Sequence, residues 1–318
     1  MAKVFVTRKI PDAGLDLLKE KYEVEVFSNT KNPTKEQLIE KAKEADALIP
    51  LLGDEIDEEV INKCSNLKII ANYAVGYDNI DLKAAEENDI YVSNTPDALT
   101  ETTADMTWTL LMAAARRVIE SDKYVRDLKF ESWGPELLLG QKVYGKTIGI
   151  IGFGRIGQAV AKRAAGFDME ILYNKRTPLS DKEEKELKAS YADLPDLLKR
   201  SDFVTINAAL NESTYHLIDK EELKMMKSCA VLVNTGRGPI INEKVLAEAL
   251  ADKEIFAAGL DVYEEEPEVH PKLLELDNVV LTPHTGSATV DARNKMAEMA
   301  AANVIAVLSG SKPVNQVV

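Results

Sequence analysis

Cysteine and histidine are scarce in this chain: of its 318 residues, two are Cys and three are His. Cys64 and Cys229 cannot build a disulfide framework and do not form a pair with metal-ligand spacing, so neither a stapled secreted scaffold nor a structural metal site is expected. A reducing, cytoplasmic setting follows. Long apolar runs are missing as well, and the N-terminus enters a strand at Lys3 with no signal-peptide core, which argues against a membrane span and against export. Positive charge is in deficit: Lys and Arg number 39 against 53 Asp and Glu, a net charge of −14. That balance disfavours nucleic acid and anionic membranes as partners, and it requires any anionic ligand to be met by a local cluster of cations. Internal repeats and low-complexity linkers are absent, so a solenoid or a flexible tether between modules is not expected.

What is present is an alternation. Hydrophobic residues make up 45% and charged residues 29%, as in a globular protein, and the length suits two domains. Apolar periodicity predicts strands over 3–7, 24–27, 47–51, 68–71 and 90–93, with helices over 11–20, 34–43, 57–63 and 81–87 between them. Such a series implies a parallel sheet. A long helical stretch follows over 100–117, then a loop-rich segment over 130–143. That segment carries Trp133 and three consecutive leucines at 137–139, which either pack on their own domain or meet another subunit. A second series has strands over 147–151, 170–173, 203–206, 230–234, 257–260 and 279–281, with helices at 219–225 and 243–251 among those between them. Six strands in this order suit a dinucleotide-binding domain. An amphipathic helix over 288–308 then returns the chain to the first domain. The expected architecture is α/β: two Rossmann-like domains with parallel sheets, a nucleotide-binding domain (100–287) inserted into a discontinuous flavodoxin-like substrate domain (1–99 and 288–318).

The most informative stretch is Thr147-Ile-Gly-Ile-Ile-Gly-Phe-Gly-Arg-Ile-Gly157. Apolar β-branched residues form a strand, Gly152-Phe153-Gly154-Arg155-Ile156-Gly157 follows, and residues 158–165 read as a helix. Strand, G-x-G-x-x-G and helix together are the dinucleotide fingerprint in its required context. Gly152 permits the tight turn, Gly154 admits a pyrophosphate against the backbone, and Gly157 lets the helix approach the sheet. The helix N-terminus then faces the phosphates with free N–H groups and a partial positive charge.

The second strand of this fold discriminates between the two nicotinamide cofactors. An acidic residue at its end, about 20 residues past the glycines, holds the ribose hydroxyls of NAD. Here the strand ends in Asn174, followed by Lys175, Arg176 and Thr177. A neutral Asn does not repel a 2′-phosphate, the two cations neutralise it, and Thr can donate to it. The preference read from these residues is NADP(H), with NAD(H) as the alternative.

Three residues after predicted strands make a chemical set: Arg237 in Asn234-Thr-Gly-Arg-Gly238, Glu266 before Pro267, and His284 in Pro283-His-Thr-Gly-Ser-Ala288. Ligands in open α/β sheets lie beyond the carboxyl ends of the strands. Reduction of a 2-keto acid needs a hydride, a proton for the carbonyl oxygen and a cation for the carboxylate. Arg offers a planar fork for the carboxylate. His can deliver a proton near neutrality, and a carboxylate beside it favours the imidazolium and orients the ring. The other two histidines invite plain readings, His216 as structural and His270 as an exposed loop residue.

With these motifs and Asn72-Tyr-Ala-Val-Gly-Tyr-Asp-Asn-Ile-Asp81 and Ala258-Gly-Leu-Asp-Val262, nearly the whole chain resembles the D-isomer-specific 2-hydroxyacid dehydrogenases, most closely their glyoxylate/hydroxypyruvate reductase branch. The resemblance implies an oxidoreductase in which Arg237 binds the substrate carboxylate and carbonyl, Glu266 pairs with His284, and His284 is the general acid/base. It implies that N–H groups around Val75 and Gly76 hold the substrate carboxylate, with Leu52 in the turn that shapes the substrate pocket. Thr103, Ala208, Thr235, Asp261 and Gly286 fall at cofactor positions, Asp261 near the nicotinamide carboxamide. Trp133 matches an aromatic that reaches a neighbouring subunit's active site, in a segment through which the family dimerises. Departures from the family pattern are Asp105 for a common Glu, Asn207-Ala-Ala-Leu210 where a Pro-containing turn is frequent, and Thr285 where a larger apolar residue is common. The implied activity is NADP(H)-linked reduction of glyoxylate or hydroxypyruvate to D-2-hydroxy acids. D-lactate or another D-2-hydroxyacid dehydrogenase using NAD(H), or a nucleotide-sensing binding protein, are the alternatives.

Overall fold

The computed structural model describes residues 1–29 and 31–318 and divides into two compact units, Met1–Leu99 with Ser287–Val318, and Thr100–Gly286. The first unit contains β1 (Lys3–Val6), α1 (Asp12–Lys19), β2 (Glu23–Val26), α2 (Lys35–Ala42), β3 (Ala47–Ile49), α3 (Glu58–Lys63), β4 (Ile69–Ala71), α4 (Leu82–Glu87) and β5 (Tyr91–Ser93), and is completed by the C-terminal helix Val290–Leu308. Its strands are all parallel, in the order β2-β1-β3-β4-β5 of flavodoxin-like sheets.

The strands are apolar at consecutive positions because both faces are covered. Val4, Val6, Ile49 and Ile69 pack with Leu15 of α1 and with Met296, Ala300 and Val304 of the C-terminal helix. Phe5, Leu48, Ile70 and Val92 turn the other way, onto Leu38 of α2 and Val60 and Ile61 of α3. Burying each such side chain contributes roughly 1.5–3 kcal/mol. Helix starts are fixed by side-chain caps: Thr34 with Gln37 in a capping box, then Asp57 and Asp81. The C-terminal helix begins at Val290 rather than 288, because the Thr289 side chain accepts the Ala292 N–H and sets the first turn there.

The second unit contains α5 (Thr100–Ala115), α6 (Val118–Arg126), β6 (Thr147–Ile151), α7 (Arg155–Ala165), β7 (Glu170–Asn174), α8 (Asp181–Leu187), β8 (Ala189–Tyr191), α9 (Leu194–Arg200), β9 (Phe203–Ile206), α10 (Lys220–Met225), β10 (Val231–Asn234), α11 (Glu243–Ala251), β11 (Ala257–Leu260), α12 (Pro271–Leu274) and β12 (Val279–Leu281). The helical stretch predicted over 100–117 is the helix α5, which ends at Ala115, and a second helix, α6, begins at Val118. Arg117 sits in the left-handed region at φ 52°, and its guanidinium grips Glu120 to fix the corner. The sheet has seven parallel strands, not six. The additional one, β8, is a three-residue edge strand whose Ser190 and Tyr191 are exposed, so it carries no apolar signature.

Strand order is β12-β11-β10-β9-β6-β7-β8. From β6 the chain goes to β7 on one side and later to β9 on the other. The crevice therefore opens at the carboxyl ends of β6 and β9, the ligand position of a doubly wound sheet. Ile148 and Ile150 face one helical layer and Ile151 the other, so this central strand is clamped from both sides.

Candidate active site

The glycine turn after β6 is built to leave room. Gly152 has φ +86° and donates its N–H to Asn174 O at 2.9 Å; a Cβ there would collide with the Ala208 backbone. A Cβ on Gly157 would collide with Gly152 O, whereas one on Gly154 would meet nothing within 4 Å. Gly154 is also the N-cap of α7 and offers no side-chain cap, so the first N–H groups of an 11-residue helix face that open space. This arrangement fits a pyrophosphate. Phe153 is fully buried with its ring against Tyr173, so only its main chain is available to a ligand. Arg155 is exposed and Ile156 half-buried on the first turn of α7.

At the end of β7, Asn174 donates from Nδ2 to Ala192 O at 2.9 Å, while its Oδ1 accepts no hydrogen bond from the described residues. Lys175 is half-buried, and Arg176 and Thr177 are exposed. None of the three side chains forms a hydrogen bond or ion pair with the described residues, so this loop presents two cations and a hydroxyl, Lys175 acting only through space on Glu183.

Ala208 follows β9, against the glycine turn. The Thr235 hydroxyl, after β10, lies 2.6 Å from that of Thr107 and accepts Asn207 Nδ2 at 3.0 Å. It belongs to a buried network tying α5 to the ends of β9 and β10. Thr103 likewise donates to Gly286 O at 3.2 Å.

Asp261, at the end of β11, is buried and spends its whole carboxylate on the loop that carries His284. Oδ1 accepts the Thr285 N–H (2.7 Å) and the Thr282 hydroxyl (2.6 Å), and Oδ2 accepts the Gly286 N–H (2.6 Å). Asp261 O also receives the His284 N–H at 2.9 Å. With its backbone so constrained, His284 is held at φ 51°, a conformation unfavourable for a β-carbon residue. Its Nδ1 lies 2.7 Å from Glu266 Oε2, and its Nε2 makes no hydrogen bond to the described residues. Glu266 is in turn oriented by the Tyr263 N–H, which donates to Oε1 at 3.1 Å. The Tyr263 hydroxyl donates to Thr282 O at 2.9 Å, and burial pushes its pKa up, so it remains a donor.

Arg237 follows β10 in a turn clamped by buried Asn234, which donates to Arg237 O and accepts the Gly236 N–H. Its guanidinium donates to Gly236 O at 3.0 Å. The next residue, Gly238, is pressed so closely on the Tyr263 carbonyl that a Cβ has no space. The Arg237 turn and the Glu266 loop are thus packed backbone to backbone.

Two carboxylates that sequence reasoning did not single out hold this arrangement. Glu264 N–H donates to Glu243 Oε2 (2.8 Å), and Glu243 N–H donates back to Glu264 Oε2 (3.0 Å). Glu243 also accepts the His270 N–H at 2.6 Å. His216 Nε2 lies 2.6 Å from Glu264 Oε1. His270 is half-buried and not exposed: its Nδ1 accepts the Lys272 N–H and caps α12. Of the three consecutive glutamates 264–266, Glu264 faces Glu243 and His216, and Glu266 faces Tyr263 and His284.

In the first unit, Leu52 is half-exposed in a turn closed by Asp54, whose Oδ2 accepts the Leu51 N–H (2.7 Å) and the Thr7 hydroxyl (2.5 Å). Asn79 donates to Leu51 O and Asp54 O and accepts from Asn72, which donates to Gly76 O at 2.8 Å. Asn94 donates to Val75 O at 2.7 Å. The carbonyls of Val75 and Gly76 are therefore tied back, while their N–H groups donate to no described residue. Trp133, in the second unit, is 80% exposed and makes no ring contact with the described residues. No metal-ligating cluster occurs among the described residues, and none of their helices is long and apolar enough to cross a membrane.

Residues 108–286 match the family model of the D-isomer specific 2-hydroxyacid dehydrogenase NAD binding domain. The chain belongs to the D-isomer specific 2-hydroxyacid dehydrogenase family. Among relatives, it is 52% identical to a glyoxylate reductase of Thermococcus onnurineus (strain NA1) over 98% of this chain and 94% of that one. It is 50% identical to a glyoxylate reductase of Pyrococcus horikoshii over the same shares. Among solved structures it is similar to a glyoxylate reductase from Paecilomyes thermophila (TM-score 0.89, 33% identity, 99% of this chain and 98% of that one). It is also similar to an NADPH-dependent glyoxylate/hydroxypyruvate reductase from Sinorhizobium meliloti in complex with NADP and malonate (TM-score 0.89, 30% identity, 99% and 96%). This member of the 2-hydroxyacid dehydrogenases is an oxidoreductase of small keto or hydroxy acids that uses a nicotinamide dinucleotide.

Proposed function

We propose that this dehydrogenase is an NADP(H)-preferring reductase of small 2-keto acids in a reducing, cytoplasmic setting, converting glyoxylate to the achiral glycolate or hydroxypyruvate to the D-2-hydroxy acid. The observation that carries the reaction is the His284–Glu266 pair at 2.7 Å, with His284 Nε2 making no hydrogen bond among the described residues. On this reading the unit 100–286 binds the dinucleotide and the other binds substrate. The dihydronicotinamide, when bound, supplies a hydride to the carbonyl carbon. His284 delivers the proton to the carbonyl oxygen from Nε2, and Glu266 stabilises the imidazolium and keeps Nδ1 as the tethered nitrogen. Arg237 offers its planar fork to the substrate carboxylate, and in the first unit the N–H groups of Val75 and Gly76 are the carboxylate donors. Leu52 limits the size of the group carried on the carbonyl carbon.

The cofactor preference rests on the loop after β7. Asn174 Oδ1 accepts a ribose hydroxyl, and the 2′-phosphate is taken by Lys175, Arg176 and Thr177. The NADP complex of the Sinorhizobium meliloti relative supports this reading. Gly152 to Gly157 and the helix α7 N-terminus take the pyrophosphate, while Thr103, Ala208, Thr235, Asp261 and Gly286 shape the walls around the nicotinamide half. Two copies of the chain pair through the apolar segment that contains Trp133.

The test mixes purified protein with glyoxylate or hydroxypyruvate and follows nicotinamide absorbance with NADPH and NADH separately. Faster oxidation of NADPH is the expected result. Faster oxidation of NADH would keep the reaction and remove the cofactor preference. Tight cofactor binding with no turnover of any keto acid would favour a nucleotide-sensing role.

A further inference from the structure

The loop 175–178 hangs from one side chain that has no role in the reading above. Tyr173 is fully buried on β7, directly before Asn174. Its hydroxyl accepts the Leu179 N–H at 2.8 Å, closing the far end of the loop, and donates to Glu184 Oε1 at 2.7 Å. Glu184 Oε1 also accepts the Tyr191 N–H at 3.1 Å, so the tether is anchored on α8 and on β8. The same Tyr173 ring stacks on Phe153, centroids 4.4 Å apart and planes 25° apart, inside the glycine turn. Burial, and then the hydrogen bond to Glu184, push the phenol up to about 12, so at neutral pH it keeps the proton it donates. The Tyr173 side chain thus ties the far end of the cationic loop to α8 and β8 while its ring lies against the glycine turn.

We propose that Tyr173, with Glu184, is a specificity-positioning pair that holds Lys175, Arg176 and Thr177 where a 2′-phosphate meets them. The proposal rests on the NADP(H) reading. A loop ordered before binding loses little freedom when the phosphate arrives, so its charge-assisted hydrogen bonds appear in the affinity rather than being offset by ordering. Loosening the tether should therefore weaken binding of the 2′-phosphorylated cofactor selectively. The pyrophosphate turn and Asn174, common to both cofactors, have their own backbone anchors at Gly152 and Ala192.

The experiment measures dissociation constants of NADPH and NADH for the full chain without substrate, by energy transfer from protein to nicotinamide. The variants are Tyr173→Phe, Glu184→Ala and Glu184→Gln, each checked for folding by thermal melting. The expected result is tighter NADPH than NADH binding in the wild type. Tyr173→Phe and Glu184→Ala should lose roughly five- to tenfold in NADPH affinity with NADH changed less than about twofold, the scale of one hydrogen bond. Glu184→Gln, which keeps an acceptor oxygen, should stay near wild type. If Tyr173→Phe melts early, Glu184→Ala against Glu184→Gln carries the comparison. An unchanged NADPH-to-NADH ratio in both disruptive variants, or equal loss for both cofactors, would overturn the tether and leave the NADP(H) reading standing. Tighter NADH binding by the wild type would overturn both.

Discussion

His284 is a residue whose backbone is set by one neighbour and whose ring is set by another. Asp261 pins the loop around it, and Glu266 pins Nδ1. His284→Ala is expected to lower turnover by about 10²- to 10⁴-fold, the usual scale for a general acid, with the cofactor dissociation constant retained. Stopped-flow reduction of glyoxylate beside a binding titration separates the two quantities. On the proposed NADP(H) reading, Asn174→Asp with Arg176→Ala is expected to move the cofactor preference towards NADH, read as the ratio of kcat/KM values. An unchanged ratio would show that these residues do not read the 2′-phosphate. Asp54 makes a prediction about stability. Burial raises its pKa against the Thr7 and Leu51 hydrogen bonds, and its Oδ1 has no hydrogen-bond partner among the described residues. Folding therefore takes up a proton once the unfolded carboxyl has ionised. The destabilisation is absent below the unfolded pKa and is complete above the folded one, so wild-type stability falls as pH rises through that window. Asp54→Asn keeps an acceptor for both donors and should flatten that part of the profile, measured as melting temperature against pH.

Elements set what those residues can do. The helix α11 and the loop 261–270 exchange N–H groups and carboxylates between Glu243 and Glu264, and Glu243 alone accepts two N–H groups. Glu243→Ala leaves both donors without an acceptor, at about 1–3 kcal/mol each. The expected outcome is a clear drop in melting temperature with turnover reduced more than cofactor affinity, because the loop that aims Glu266 is the part released. Equal loss of turnover and of cofactor binding would mean that the whole unit, and not this loop, depends on Glu243. The sequence made most of these elements legible. Strands with apolar β-branched runs, such as 147–151, and capped helices such as α2 are recognisable because pattern and cap are local. The edge strand β8 and the break at Arg117 are not, since one is exposed on an edge and the other is held by a φ above zero. His270 was read as exposed for a similar reason: its capping role depends on α12, four residues long and carrying no periodicity of its own.

For the whole molecule, the apolar side chains left exposed fall heavily in one stretch. Val118, Ile119, Val125, Leu128, Phe130, Trp133, Leu139 and Tyr144 are each more than 45% exposed, and Leu128 and Trp133 exceed 75%. A surface of that kind is what the proposed pairing of two copies would cover. Two-fold pairing of this segment predicts a dimer by sedimentation, and Leu128→Glu with Phe130→Ser should shift it to monomer while the melting profile of the unit 100–286 is retained. A wild-type monomer at micromolar concentration would remove the proposal.

The sequence by itself determined the fold class and the family's NAD binding domain, and it marked Arg237, Glu266 and His284 as candidates, because each lies in a local motif read along one strand end. Only the tertiary structure decided how those residues are held. The saturation of Asp261, the reciprocal clamp of Glu243 and Glu264, the Tyr173 tether and the free N–H groups of Val75 and Gly76 join positions that are distant in sequence or distinguished only by direction. A hydrogen bond is decided by ångströms and angles, and no periodicity in a sequence encodes where a side chain finds its partner once two strand ends come together.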